Sequence, residues 1–195
     1  MPRVSRKQAD QHRIDVIRAA SRLFPQHGID GVSVPSLMAE AGLTHGAFYG
    51  HFQSKEALVD AACDEAFEAK RKYYDDLIAR HGSDAEGLRA AFIKRYTRLS
   101  HRDERAEGCP IAALCGDIAR NERKGPIRSA FAAGVMSLID RLPQILSRRK
   151  KKASREEALT TASMLVGALV LARATEGHAI SEEFLSATRK ALLES

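Results

Sequence analysis

Between Leu43 and Leu58 the chain reads LTHGAFYGHFQSKEAL, which gathers hydrogen-bonding and cationic side chains around two glycines. Thr44, Tyr49 and His51 carry hydrogen-bond donors, His45 stands on a face that no long side chain blocks, and Lys55 adds a positive charge. Side chains of these types meet phosphate oxygens and base edges. Gly46 lets a backbone come close to such a surface. Lys55 falls in the first turn of the helix that follows, where the helix dipole alone favours an acid. A lysine there makes sense if it faces a phosphate together with the helix N-terminus. Gly-x-x-x-Gly and Tyr-x-His-Phe runs also occur in ordinary tight helix packing, so the surrounding elements must decide between the two readings.

Those elements can be traced from apolar spacing. Ile14, Ile17, Ala20, Leu23 and Phe24 mark one face of a first helix over about residues 8–27. Pro25 is expected to end or kink it in its last turn, and Gly28 to stop it. Ser33 caps a short second helix, Val34 to Ala41, with Pro35 in its first turn. Its inward positions are Val34, Leu37, Met38 and Ala41. Gly42 supplies the left-handed residue of a tight turn. Thr44 caps a third helix reaching His51, anchored by Ala47, Phe48 and Phe52. Two short helices joined by a glycine turn and packed on a longer one form a helix-turn-helix unit. Such a unit presents the N-terminal residues of its second helix to the DNA major groove.

Beyond it, Ser54 caps a long helix to about Arg80 that packs through Leu58, Ala62, Ala66, Ala69, Tyr73 and Leu77. Further helices carry Leu88, Phe92, Tyr96 and Leu99, start at Pro110, and run from Pro126 to Leu146. Two more close the chain after the basic run RRKKKASR, Arg148 to Arg155. The whole reads as all-α, about nine helices, divided into residues 1–53 and 54–195.

Composition agrees. The 195 residues are 44% hydrophobic and 29% charged, globular rather than disordered, and hold only 6 prolines. A net charge of +6 favours a polyanionic partner without proving one. Three cysteines, Cys63, Cys109 and Cys115, cannot all pair within one chain, and the N-terminal stretch is polar, so a reducing cytoplasm fits best. The most apolar run, Met164 to Ala172, is too short to span a bilayer, and no membrane is expected. Neither a phosphate loop, a nucleophile elbow nor a His/Glu metal spacing occurs, which argues against an enzyme and against a cofactor.

Ala20 to Phe67 resembles the DNA-binding region of the TetR family of bacterial transcriptional regulators. The matching features are the LF…HG end of helix one, GVSV, AGLT and FYGHFQSKEAL. The resemblance covers about a quarter of the chain tightly. It implies an all-α homodimer with a helix-turn-helix domain and a C-terminal ligand-binding and dimerisation domain. Carried over by position, Ser33 matches a phosphate contact at the helix-two N-terminus. Thr44, His45 and Gly46 match the start of the recognition helix, Tyr49 and His51 its phosphate-facing side, and Lys55 a clamp. Pro25 departs from the family pattern, and His45 occupies a position that varies and helps set operator sequence.

The resemblance further implies a mostly apolar pocket, for which Phe92, Tyr96, Cys109, Met136 and Met164 are candidates. Any one of these could equally be core. The last two helices would pair with their symmetry mates through Ala162, Leu165, Val166, Leu169 and Ala172 on one and Phe184, Leu185, Thr188 and Leu192 on the other. In this architecture Arg148 to Arg155 reads as a solvated loop. The function implied is a repressor released from a palindromic double-stranded DNA operator by a small-molecule inducer. A second reading is a thiol-based redox or electrophile sensor using Cys109, which lies beside a helix start, where dipoles lower thiol pKa values. A cysteine hydrolase or a purely structural bundle are the remaining alternatives, and the latter leaves Thr44 to Lys55 unexplained.

Overall fold

The computed structural model describes residues 5–120, 126–148 and 151–194, and these fold into ten α-helices and one 3-10 segment, with no strand among them. The elements are α1 (Arg6–His27), α2 (Val34–Glu40), the 3-10 segment His45–Gly50, α3 (Lys55–His81), α4 (Ala85–Tyr96) and α5 (Leu99–Asp103). They continue with α6 (Pro110–Arg120), α7 (Pro126–Ile139), α8 (Leu142–Ile145), α9 (Arg155–Ala174) and α10 (Ala179–Glu194).

Side-chain caps set five of the starts. Ser5, Ser33, Ser54, Asp84 and Ser154 each accept from a backbone N–H one turn on, satisfying donors that a helix start leaves orphaned. Gly28 ends α1 with φ 75°, its N–H donating to the Phe24 carbonyl at 2.9 Å. The helix runs through Pro25 rather than stopping there, because proline in the last turn removes only one donor.

α1 buries Val16, Ala19, Ala20 and Phe24. Ile14, expected inside, is 42% exposed: it lies about 200° around the helix from Val16, on the opposite side. On α3 the buried stripe is Leu58, Val59, Ala62, Cys63, Phe67, Tyr74 and Leu77, while the expected Ala69 faces solvent. This helix, about 40 Å long, packs on α1 near its start and on α4 and α7 further along. Tight contact with α7 rests on Gly134, where a Cβ would stand 2.3 Å from the Phe67 ring.

Two expected helices are each divided. The expected helix with Leu88, Phe92, Tyr96 and Leu99 ends at Tyr96, and Leu99 begins the separate α5, where it is 41% exposed. The one expected from Pro126 to Leu146 breaks at Asp140–Arg141. Pro143 has no N–H to give the Ile139 carbonyl, so the ladder cannot continue. Arg141 fastens the break to α3 through paired bonds to Asp75 at 2.8 and 2.9 Å, which hold the Asp75 carboxyl below its ordinary range.

α9 and α10 form an antiparallel hairpin. Five of the residues expected at a dimer interface, Leu165, Leu169, Ala172, Leu185 and Leu192, are buried inside the chain instead, where this hairpin meets the rest of the body. Ala162, Val166, Phe184 and Thr188 are half-buried. The apolar residues left outside are Leu159, Met164 and Leu171 on α9 and Ile180 on α10. By length and composition α9 could cross a membrane, contrary to the expectation drawn from its central run alone; it packs on α10, α6, α7 and α8 as a core helix does. In the basic run, Arg148 and Lys151 pair backbone to backbone, Arg149 and Lys150 lie outside the described residues, and Arg155 starts α9 paired to Asp140 at 2.8 Å.

Replacing Gly134 with alanine should drive α3 and α7 apart and cost about 1–3 kcal/mol, the usual penalty of overpacking a filled core. Thermal melting should register this as a Tm lowered by roughly 2–10 °C; an unchanged Tm would mean that Phe67 can move aside.

Candidate nucleic-acid interface

The segment His45–Gly50 is held from beneath. Phe48 and Phe52 are buried and stack at 5.6 Å between ring centres. The turn leading into it is closed by Gly42 N–H to the Ala39 carbonyl at 3.0 Å and Leu43 N–H to the Met38 carbonyl at 2.8 Å. Gly42 has φ 70°, a conformation that glycine adopts without strain. With its anchors inside, the segment turns Thr44, His45, Gly46 and Tyr49 outward, and Tyr49 is 70% exposed.

The segment is 3-10 rather than α, as its bonds from Ala47 N–H to Thr44 and from His51 N–H to Phe48 show. Six residues including two glycines carry little α propensity, and Thr44 stands at the N-cap position without a side-chain bond. Its expected capping role is therefore unfilled, and its hydroxyl faces outward. A Cβ on Gly46 would meet nothing within 4 Å, so internal packing does not require glycine there. Ser33 is exposed and caps α2 through Ser36 N–H at 3.2 Å. Lys55 is the first residue of α3, just after the cap Ser54, and Glu56 follows it in the same turn.

Two α1 residues that sequence spacing did not single out complete the support. Arg13 donates to the His51 carbonyl at 2.7 Å while its guanidinium lies 4.4 Å from the Phe52 ring centre. His12 meets the edge of His51 at 6.1 Å. Arg13 reaches His51 from 38 residues upstream, and no local pattern could have marked the contact.

The helix-turn-helix is tied to the body by Asp117 of α6. Its Oδ2 accepts from Ile29 N–H at 2.9 Å, in the loop between α1 and α2, and its Oδ1 pairs with Arg120 at 2.7 Å.

A cleft of about 50 Å³ lies within the body, walled by α3, α4, α5 and the loop that leads into α6. Phe92, Tyr96 and Cys109 line it as expected, together with Lys70, Tyr74 and His101. Met136 does not, being 53% exposed on α7, and Met164 borders a different hollow beside Arg89. Cys109 is 4% exposed, so the thiol is shut away from solvent. His101 Nδ1 lies 2.7 Å from the Tyr96 carbonyl, and burial pushes its imidazole down to about 4, leaving it neutral at neutral pH. The cleft's rim, Glu104 and Glu107, also walls a hollow against Gln26 and His27 at the end of α1.

Residues 16–62 match the bacterial regulatory proteins of the tetR family. The chain is similar to the HTH-type transcriptional regulator LmrA of Bacillus subtilis, 30% identical over 119 residues, which cover 60% of this chain and 62% of LmrA. It is similar to TtgR of Pseudomonas putida at 35% identity over 68 residues, or 35% of this chain and 32% of TtgR. The chain thus spans under two thirds of the length of either relative. Among solved structures it shares the fold of a TetR transcriptional regulator from Chloroflexus aurantiacus, with a TM-score of 0.76 at 24% identity over 96% of this chain and 95% of that one. A second, from Agrobacterium tumefaciens, gives 0.77 at 21% over 95% and 97%. These relatives are named as transcriptional regulators rather than as enzymes.

Asp117→Ala should free the Ile29 amide. Hydrogen exchange at Ile29 is expected to quicken, with stability lower by about 1–2 kcal/mol for a lost bond to a charged acceptor; unchanged exchange would show that the loop holds itself.

Proposed function

The chain carries the N-terminal domain of the tetR family at residues 16–62 and belongs to that family, and from this premise we propose that it is a sequence-specific DNA-binding repressor, active as a homodimer and released by a small molecule. The observation that carries the reading is the outward display of Thr44, His45, Gly46 and Tyr49 over the buried pair Phe48 and Phe52. Tyr49 touches the Phe48 ring edge-on at 5.3 Å yet stays 70% exposed, with most of its ring and its hydroxyl open to a partner. In this proposal Thr44, His45 and Gly46 meet the major groove, while Ser33, Tyr49, His51 and Lys55 meet phosphates. His51 presents its ring with its carbonyl already committed to Arg13. Residues 1–53 act as the DNA-binding domain and 54–195 as the ligand-binding and dimerisation domain.

A dimer interface is proposed on the outer face of α9 and α10, where Leu159, Met164, Leu171 and Ile180 are exposed. Half-buried Ala162, Val166, Phe184 and Thr188 lie on the same two helices. Two-fold symmetry of the protein would then be mirrored in a palindromic operator. The proposed effector site is the cleft at Tyr96. Its rim shares Glu104 and Glu107 with the hollow against α1, and the loop that carries Glu107 and Cys109 leads into α6, whose Asp117 reaches the α1–α2 loop. A ligand with different affinity for two placements of these elements would shift DNA affinity by that difference. Burial of Cys109 disfavours the thiol-sensor alternative, which predicts an oxidant response lost in Cys109→Ser.

Titration of the chain against DNA from upstream of its own gene, at two salt concentrations with random duplex as competitor, tests the DNA reading. Tyr49→Ala and Lys55→Ala should each weaken binding, and Lys55→Ala should also flatten the salt slope by about one unit, because only the lysine displaces a counterion. If both variants bind as wild type does, the contact set is wrong. If neither this DNA nor a selected random library is bound specifically, the regulator reading fails.

Sedimentation tests the interface. Leu171→Asp, placing a charge on the outer face, should convert a dimer to monomer at micromolar concentration while Tm reports an intact monomer fold; a dimer that persists unchanged would move the interface elsewhere.

A further inference from the structure

The cleft beside α3 and α4 contains polar groups that the protein's own packing leaves without partners. Tyr96 is 7% exposed, and its hydroxyl, beside the weakly bonding Cys109 thiol, has no oxygen or nitrogen partner among the described residues. Arg98 Nε is also buried without one, although the same guanidinium reaches Glu104 at 3.4 Å. Lys70 donates to the backbone carbonyl of Glu107 and has no carboxylate partner among the described residues. Burial draws its ammonium below the ordinary lysine range. Buried polar groups are normally satisfied, and each orphan costs about 1–3 kcal/mol.

The charges around these groups are one-sided. Glu104 and Glu107 stand exposed at the rim, and Glu104 is already paired with Arg98. His101 is neutral, so the inner wall carries a cation at Lys70 and no anion. The remaining wall is aromatic: Tyr74 meets Phe92 edge-on at 5.6 Å, and Phe92 and Tyr96 are tilted at 6.0 Å. A cationic ligand would be repelled here. An uncharged apolar one would desolvate the Lys70 charge without giving it a counter-ion and leave the Tyr96 hydroxyl without an oxygen acceptor.

Resting on the regulator reading above, we propose that this cleft binds a small aromatic carboxylate, its carboxyl group paired with Lys70 and accepting from the Tyr96 hydroxyl, its ring against Tyr74 and Phe92. The carboxylate supplies the anion that Lys70, bonded only to a carbonyl, lacks and an oxygen acceptor for the Tyr96 hydroxyl, and charge-assisted bonds of this type are the stronger ones. Ring-on-ring contact adds selectivity for an aromatic over an aliphatic acid.

Calorimetric titration and thermal shift of the full chain test this without DNA, using benzoate, phenylacetate and 2-naphthoate, each beside its amide, with cyclohexanecarboxylate as the aliphatic control. At least one aromatic acid should raise Tm and bind about tenfold or more tightly than its amide, the loss expected for one charge-assisted bond. Lys70→Met and Tyr96→Phe should each weaken that acid by about tenfold or more, with Lys70→Arg retaining binding, and all three should bind the upstream DNA as wild type does. The proposal is overturned if no acid binds, if amides or the aliphatic acid bind as tightly, or if Lys70→Met binds the acid undiminished. Ligand titration decides the cleft whether or not DNA is bound: failure of DNA binding alone would overturn the regulator reading, and failure of acid binding alone would overturn only this one.

Discussion

One helix has to complete two cores. The first turns of α3 give Leu58, Val59 and Ala62 to the packing around α1, and its later turns give Phe67, Tyr74 and Leu77 to the body. Neither group could stay dry without it, because α1, α2 and a six-residue 3-10 segment are too few elements to enclose a core. The contact between Phe67 and Gly134 sets how closely α7 lies against this helix. Arg141 and Asp75 hold the far end. Everything that positions Tyr49 outward at one end and Tyr96 inward at the other is therefore referred to a single rigid rod.

That arrangement gives the two proposed sites a physical route to each other. Tightly packed interiors shift between discrete arrangements rather than deforming smoothly. The cleft touches α3 through Lys70 and Tyr74, and its rim reaches the end of α1. Asp117 adds a polar link to the loop between α1 and α2, its carboxylate accepting from Ile29 N–H. A bound molecule that moved the rim would act on α1 and α3 at once, the two helices that frame the 3-10 segment. The Arg13 contact to His51 and Phe52 would carry a shift of α1 to the exposed surface.

The sequence revealed the elements whose signals are local. Ser33, Ser54, Gly28, Gly42 and Pro110 marked helix ends because caps, left-handed turns and missing donors act within one turn. Phe48 and Phe52 were legible as anchors because a short polar segment needs apolar residues on its inner side. What remained hidden depends on the partner element. Ile14 and Ala69 fit a helical stripe as well as Val16 and Phe67 do, and only the direction from which α3 and α7 arrive decides between them. Arg13 and Lys70 looked like surface cations until distant residues supplied a carbonyl and aromatic walls. The break at Pro143 was visible in principle, since a missing donor is a local property; the strong apolar run on either side masked it.

The same limit explains why five residues expected on a dimer face of the last two helices are buried within the chain. α9 is apolar around much of its circumference, so spacing alone cannot say which stripe meets its own chain and which is left over. The body takes Ala158, Leu165, Ala168, Leu169 and Ala172. What remains outside is Leu159, Met164 and Leu171, with Ile180 on the neighbouring helix. A helix long and apolar enough to suggest a bilayer, yet opened by Arg155, Glu156 and Glu157 and closed by Arg173, would have to leave those charges near its ends while half its side packs on protein. In the proposed dimer a second copy of the chain would cover the leftover stripe with the same surface, because a two-fold contact brings each residue near its own symmetry mate. The proposed dimer thus follows from the geometry of what the chain cannot bury by itself rather than from the residues that are most apolar in sequence.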